Sequence, residues 1–151
     1  MASQIYVDAD ACPVKEEAAK VATRHGLTIH YVSNSYMRLP FGDNVKRVVV
    51  AEGADAADDW IGEQVTAKDI VVTSDIPLAS RAMKKLAKVI APTGKPFTED
   101  SIGMALAMLD LMSHLRETGD VRGNNPVFTS AARSQFLQGL ENIIQQLKRG
   151  C

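Results

Sequence analysis

The sequence predicts one α/β domain, a three-layer sandwich with a mostly parallel sheet. Three observations carry this expectation. Short apolar runs alternate with amphipathic segments along the chain, as in successive right-handed βαβ units. The run Ile70-Val71-Val72 is apolar without alternation, which marks a strand covered on both faces, as parallel sheets require. A length of 151 residues suits one core, and no low-complexity tract, internal repeat or linker divides residues 1–151.

The elements follow in order. Residues 5–7 are an apolar run that reads as a short buried strand. Pro13 opens a helix over 13–25, where proline is tolerated. Its apolar positions Val14, Ala18, Val21 and Ala22 share helical spacing, and Gly26 is its C-cap. Residues 27–32 form a second strand, and 33–44 read as a loop from their Asn, Ser, Pro and Gly. A third strand spans 45–50. After the turn at 52–54, a helix over 55–65 begins with an acidic turn that suits the helix dipole. Residues 69–73 are a fourth strand. Ser74-Asp75-Ile76-Pro77 leads into a helix to about residue 88, and 89–91 are a short fifth strand. A fourth helix starts at the capping run Thr98-Glu99-Asp100-Ser101 and reaches about residue 116. Thr129 or Ser130 caps a last helix carrying Phe136, Leu137, Leu140, Ile143, Ile144 and Leu147.

Composition narrows the function. Hydrophobic residues make up 46% and charged residues 23%, ordinary for a globular protein. A net charge of -1 argues against a strongly basic binder of nucleic acid and leaves room only for a local basic patch. Cys12 and Cys151 make neither a disulfide framework nor a zinc pattern, so a reducing compartment is expected. No basic-then-apolar leader opens the chain and no apolar run has the length of a membrane span, so the expectation is a cytoplasmic protein with no membrane partner.

The chemistry concentrates at strand ends. Asp8 and Asp10 end the first strand just before a helix, and Asp75 repeats that placement after the fourth. Asp55, Asp58 and Asp59 open the helix after the third, where residues three and four apart share a face. Three βα connections therefore present carboxylates at the carboxyl edge of the sheet, where ligands of open α/β sheets bind. Crowded carboxylates repel unless a cation or proton intervenes. A set without histidine or cysteine suits Mg²⁺ or Mn²⁺, which activates water and steadies the leaving oxygen in phosphodiester hydrolysis. The plainer alternative is that Asp75 and Asp55 cap their helices and the others face water. For a phosphate the candidates are Arg38, in the loop after the second strand, and Arg81, with Lys84 and Lys85 beside it. Asn34, Ser35, Thr73 and Ser74 offer hydrogen bonds. The basic residues suit a solvated face better than a phosphate site. Cys12 reads as a small buried thiol, the scattered His25, His30 and His114 as structural or exposed, and Trp60 and the methionines as core filling.

These residues carry a resemblance. Val7-Asp8-Ala9-Asp10-Ala11-Cys12-Pro13, Asn34 with Arg38-Leu39-Pro40, Gly53-Ala54-Asp55-Ala56-Ala57-Asp58 and Val72-Thr73-Ser74-Asp75-Ile76-Pro77-Leu78-Ala79 together resemble the bacterial YaiI/YqxD family, also called UPF0178 or domain of unknown function 188. The likeness runs from residue 5 to about residue 140. That family is regarded as PIN-like, and the resemblance implies an α/β nuclease fold whose acidic edge binds Mg²⁺ or Mn²⁺ and cuts RNA. By position, Asp8 and Asp10 are its first acidic element, Asp55 or Asp58 the middle one and Asp75 the later one. The chain departs from the family pattern at Leu109, where an arginine is expected, at Gly123-Asn124-Asn125-Pro126, where a Gly-Gly-Pro-like turn is expected, and around Ala131-Ala132, where more charge is expected.

Three readings compete. In the first, a metal-dependent nuclease or phosphodiesterase acts on RNA or another phosphodiester, with Asp8, Asp10, Asp58 and Asp75 catalytic and Arg38 on phosphate. In the second, a non-catalytic module keeps the acidic pocket for a metal or small ligand. The modest charge and the want of a basic, aromatic-bearing surface favour that one. In the third, Asp8-x-Asp10 is the nucleophile motif of a haloacid dehalogenase-like phosphatase. Cys12, the small size and the missing cap insert count against it. The two apolar C-terminal helices either close the core or form a homo-oligomer face.

Overall fold

Five strands, β1 (Gln4–Asp8), β2 (Thr28–Ser33), β3 (Val45–Val49), β4 (Ile70–Val72) and β5 (Lys88–Ile90), form one parallel sheet in the order β3-β2-β1-β4-β5. They come from a computed structural model that describes residues 3–51, 56–118 and 128–149, without the side chains of 11 and 112–118. The helices are α1 (Lys15–His25), α2 (Ala56–Gln64), α3 (Ile76–Lys84), α4 (Glu99–Thr118) and α5 (Ser130–Arg149). The expected α/β sandwich is the one observed.

Strand alternation divides the core into two. Ile5, Val7, Ile29, Tyr31, Ile70, Val72 and Ile90 face α1 and α5, and Tyr6, Val32, Val71 and Val89 face α2 and α3. Register explains why both sides pack. Ile5 lies between Ile29 and Ile70, and Val7 between Tyr31 and Val72, so one pleat of three strands presents a continuous apolar row. On the other side Tyr6 stacks on His30 with ring centroids 4.7 Å apart, and Trp60 of α2 tilts against both.

The element boundaries differ from expectation at one informative place. The third helix ends at Lys84 and not near residue 88. Leu86 sits at φ 68° and Ala87 N donates back to Ala82 O. This is a left-handed helix termination without the glycine that usually signals it, so periodicity alone ran the helix on to about residue 88, where β5 begins. Gly26, at φ 67°, caps α1 as expected. Thr129 caps α5 by accepting from Ala132 N.

The two C-terminal helices behave differently. Phe136, Leu140, Ile143 and Ile144 of α5 are buried, so α5 closes the core. In α4, Ile102 is buried but Met104, Leu106, Met108, Leu109 and Leu111 are exposed. An ion-pair group ties α5 to α1: Glu141 accepts from Arg24 and His25, and Lys148 Nζ donates to His25 Nδ1. Hydrogen bonds from Gln145, His25 and Arg24 hold the Glu141 carboxyl down at about 2. A depressed carboxylate pKa stabilises the fold above its unfolded value and loses that contribution as pH falls through the folded one. Glu141→Gln should therefore lower the thermal midpoint at neutral pH, with the difference from wild type closing between the ordinary carboxylate range and pH of about 2. Calorimetry across that range checks it.

Candidate functional site at the carboxyl edge of the sheet

The sheet changes winding direction between β1 and β4. From β1 the chain crosses to α1 on one face, and from β4 to α3 on the other. At such a switch point the two connections part and leave a crevice at the carboxyl ends of the strands. Asp8 is the last residue of β1 and Thr73 follows β4, so both stand at this crevice.

A short hydrogen-bond chain crosses it. Thr73, buried, donates from Oγ1 to Asp8 Oδ2 at 3.0 Å. Thr73 Oγ1 in turn accepts from Asp75 N at 2.9 Å. Asp75 Oδ1 accepts from Leu78 N at 2.9 Å, which makes Asp75 the N-cap of α3, with Pro77 in the first turn. Asp10 is exposed on a single 3-10 turn, Ala9–Ala11, and its Oδ2 accepts from Asn34 N at 3.1 Å. That bond fastens the loop after β2 to the acidic edge. In each of the three carboxylates these contacts occupy one of the two oxygens.

The electrostatics follow from this crowding. Burial lifts the Asp8 carboxyl above its ordinary range, the bond from Thr73 works against that, and the charges of Asp75 and Asp10 lift it further. Cys12, buried beneath the turn, has its thiol pushed up to about 11, chiefly by desolvation, so it is a poor nucleophile and packs as expected. Lys15 Nζ donates to Cys12 O at 2.7 Å and Ala9 O at 3.3 Å and pins the turn that carries Asp10. Nothing in the spacing marked Lys15 for this role.

The other expected site residues are distributed as follows. Asp58 is half-buried in the first turn of α2, and Asp55 lies outside the described residues. Asp59 accepts from Arg81 Nη1 at 2.8 Å, and the Arg81 guanidinium lies across Gly62, where a Cβ would stand 2.5 Å from Arg81 Nε. Arg81 is thereby committed to the α2–α3 contact and is not brought to the acidic cluster. Ser74 is exposed beside Asp75, and Lys85 Nζ donates to Glu63 O. Arg38 is exposed on a cleft of about 390 Å³ that Lys15, Glu17, Leu39, Pro40 and Arg133 also line. Leu109 is exposed on α4, and positions 124 and 125 lie outside the described residues. Among the described residues, no three His, Cys, Asp or Glu side chains are grouped as a ready metal cluster. No described helix is long and apolar enough to cross a membrane.

Comparison with known proteins agrees with the motifs at this edge. The model of the uncharacterised YaiI/YqxD family matches residues 6–146. The chain belongs to this family. Among YaiI/YqxD relatives, a UPF0178 protein of Parvibaculum lavamentivorans is 58% identical over 147 residues, 97% of each chain. One of Rhodospirillum rubrum is 55% identical over 148 residues, 97% of this chain and 99% of that one. One of Mesorhizobium japonicum is 54% identical over 145 residues, 96% and 94% of the two chains. No solved structure matches.

Proposed function

We propose that this YaiI/YqxD protein is a PIN-like, Mg²⁺- or Mn²⁺-dependent phosphodiesterase, with RNA as the leading substrate class. The observation that carries the proposal is the linked set Asp8–Thr73–Asp75, with Asp10 beside it, at the winding switch point.

The donor set supports a hard cation. Among the described side chains, carboxylate and hydroxyl oxygens converge here, and one oxygen each of Asp8, Asp10 and Asp75 is outside the hydrogen bonds described. Mg²⁺ needs only one or two protein carboxylates because it keeps several waters, so Asp8 and Asp75, with Asp10 through water, suit it without a closed cluster. When bound, such an ion supplies Lewis acidity and an activated water. The chain's own contribution is orientation. Thr73 fixes the rotamer of Asp8, the N-cap bond fixes Asp75, and Lys15 together with Asn34 fixes the turn and side chain of Asp10. Asp8, whose carboxyl burial lifts above its ordinary range, is the residue to accept a proton from water held at the edge. Arg38 reaches into the neighbouring cleft, where a phosphate on the same strand would sit.

Thermal unfolding with added Mg²⁺ or Mn²⁺ tests the site. The wild type should gain stability with metal, because a cation relieves the carboxylate repulsion, and Asp10→Asn should gain less. A cleavage assay on RNA, DNA and nucleotides then reads the reaction. Metal-linked stabilisation without turnover on any substrate identifies a binding module instead. A beryllium-fluoride adduct on Asp8 identifies the phosphatase chemistry.

A further inference from the structure

The protein contains eight aromatic side chains, and the described structure buries or half-buries six of them. The two exposed ones, Tyr36 at 75% and Phe41 at 102%, both lie on the loop between β2 and β3. Scattered exposed apolar groups need no explanation, but two large rings exposed on one short loop do.

The loop is built to hold them outward. Met37 and Leu39 pack against the core, so Tyr36 and Arg38 beside them project to solvent. Asn34 N binds Asp10 at the start of the loop, and Asn44 Nδ2 donates to Leu27 O at its end. Between these anchors Arg47, on the edge strand β3, donates to Met37 O at 3.0 Å and places its guanidinium 4.1 Å from the Tyr36 ring centroid. That contact stiffens the ring and backs it with positive charge. Three clefts, of about 390, 230 and 560 Å³, share Pro40, and Phe41 lines the second and third. Arg38, Arg47 and Lys20 are among the cations lining them. A basic, aromatic-bearing surface, which the sequence did not lead one to expect, is thus assembled from a loop and a strand.

We infer that this loop is a base-stacking platform for unpaired nucleic acid, with Tyr36 and Phe41 as stacking rings and Arg38 and Arg47 as the cations beside them. Every nucleobase has a π-face, and rings flanked by guanidinium groups bind single strands in this way. A duplex hides those faces in its stack. Among the described residues six cations line the clefts, Lys15, Lys20, Arg24, Arg38, Arg47 and Arg133, against Glu16 and Glu17, with Asp43 on the loop, so charge and stacking both contribute to the binding. The inference rests on the phosphodiester reading for its substrate class. It adds the place, outside the acidic cluster, where the strand is held: the loop fastened to Asp10 through Asn34 N leads it away over α1.

The test is fluorescence anisotropy in EDTA, which separates binding from cleavage. The probes are labelled oligouridylate and oligothymidylate of about ten nucleotides, within the usual site size, and a duplex of the same length. The wild type should bind single strands more tightly than the duplex. Tyr36→Ala and Phe41→Ala should each weaken binding about 5- to 150-fold, and Tyr36→Phe should keep it. Arg38→Ala should lower the salt slope by about 0.7. Both rings are exposed, so the variants should melt with the wild type by circular dichroism. Binding of both sugars, or of RNA alone, sustains the inference and reports whether the 2′-hydroxyl is read. It is overturned if neither single strand binds, if the duplex binds as tightly, or if the alanine variants bind like the wild type. Binding without cleavage keeps the platform and removes the nuclease reading. Cleavage unchanged in Phe41→Ala and Tyr36→Ala does the reverse.

Discussion

Asp8→Asn is expected to lower divalent-ion-dependent phosphodiester cleavage by about 10²- to 10⁴-fold, the range for losing a positioned acid–base group. The same variant should melt above the wild type when no divalent ion is present. Both effects have one cause. Asp8 is partly desolvated and faces the charges of Asp75 and Asp10, with only the Thr73 hydroxyl compensating directly. Asparagine keeps an oxygen for Thr73 and removes the charge. The sign follows from linkage. A carboxyl whose folded pKa is raised opposes folding once pH exceeds its unfolded value, and ceases to oppose it when protonated. The stabilisation by Asp8→Asn should therefore appear above the ordinary aspartate range and vanish below it. Thermal melts in EDTA from pH 3 to 8 and cleavage assays with Mn²⁺ measure the two halves. A variant that cleaves like the wild type would remove Asp8 from the mechanism.

Gly94→Ala is expected to cost about 3 kcal/mol or more, a drop of about 6–12 °C in the thermal midpoint for a chain of this size. Gly94 sits at φ +92°, and a Cβ there would stand 2.4 Å from the backbone oxygen of Gln135 in α5. Neither the turn nor the helix can yield by rotating a side chain. Gly139 is the reciprocal case. Inside a helix, alanine is ordinarily better than glycine by about 1 kcal/mol, yet a Cβ at Gly139 would meet Gly94 O at 2.6 Å, so Gly139→Ala should destabilise. Gly103 in α4 meets nothing within 4 Å, and Gly103→Ala should stabilise by up to about 1 kcal/mol. Urea unfolding of the three variants gives the ranking. Equal responses would mean that α5 does not close on the 91–96 turn as described.

Much of the candidate site was legible because it is local. A carboxylate placed within three residues of the end of an apolar run must stand near that strand's carboxyl end, so Asp8 and Asp75 could be located without a fold. The capping role of Asp75 was legible for the same reason, since Pro77 two residues later marks a helix start. Arg81 was misleading. Its position on the helix after Asp75 pointed toward the acidic edge, but α2 lies alongside and offers Asp59, a partner from a different segment. The stacking loop was invisible because Arg47 reaches Tyr36 only once β3 pairs with β2.

What the amino-acid order determined by itself is the alternation of strands and helices, their caps, and the carboxylates at the strand ends. These depend on neighbours within a few residues, where covalent geometry and burial periodicity leave few choices. The tertiary structure alone decided the order β3-β2-β1-β4-β5 that brings Asp8 to Thr73, the close approach of Gly94 and Gly139, and which of two apolar helices closes the core. Those outcomes join residues from about 45 to 65 positions apart or more. They follow from which faces can be packed together, and no local pattern carries that information.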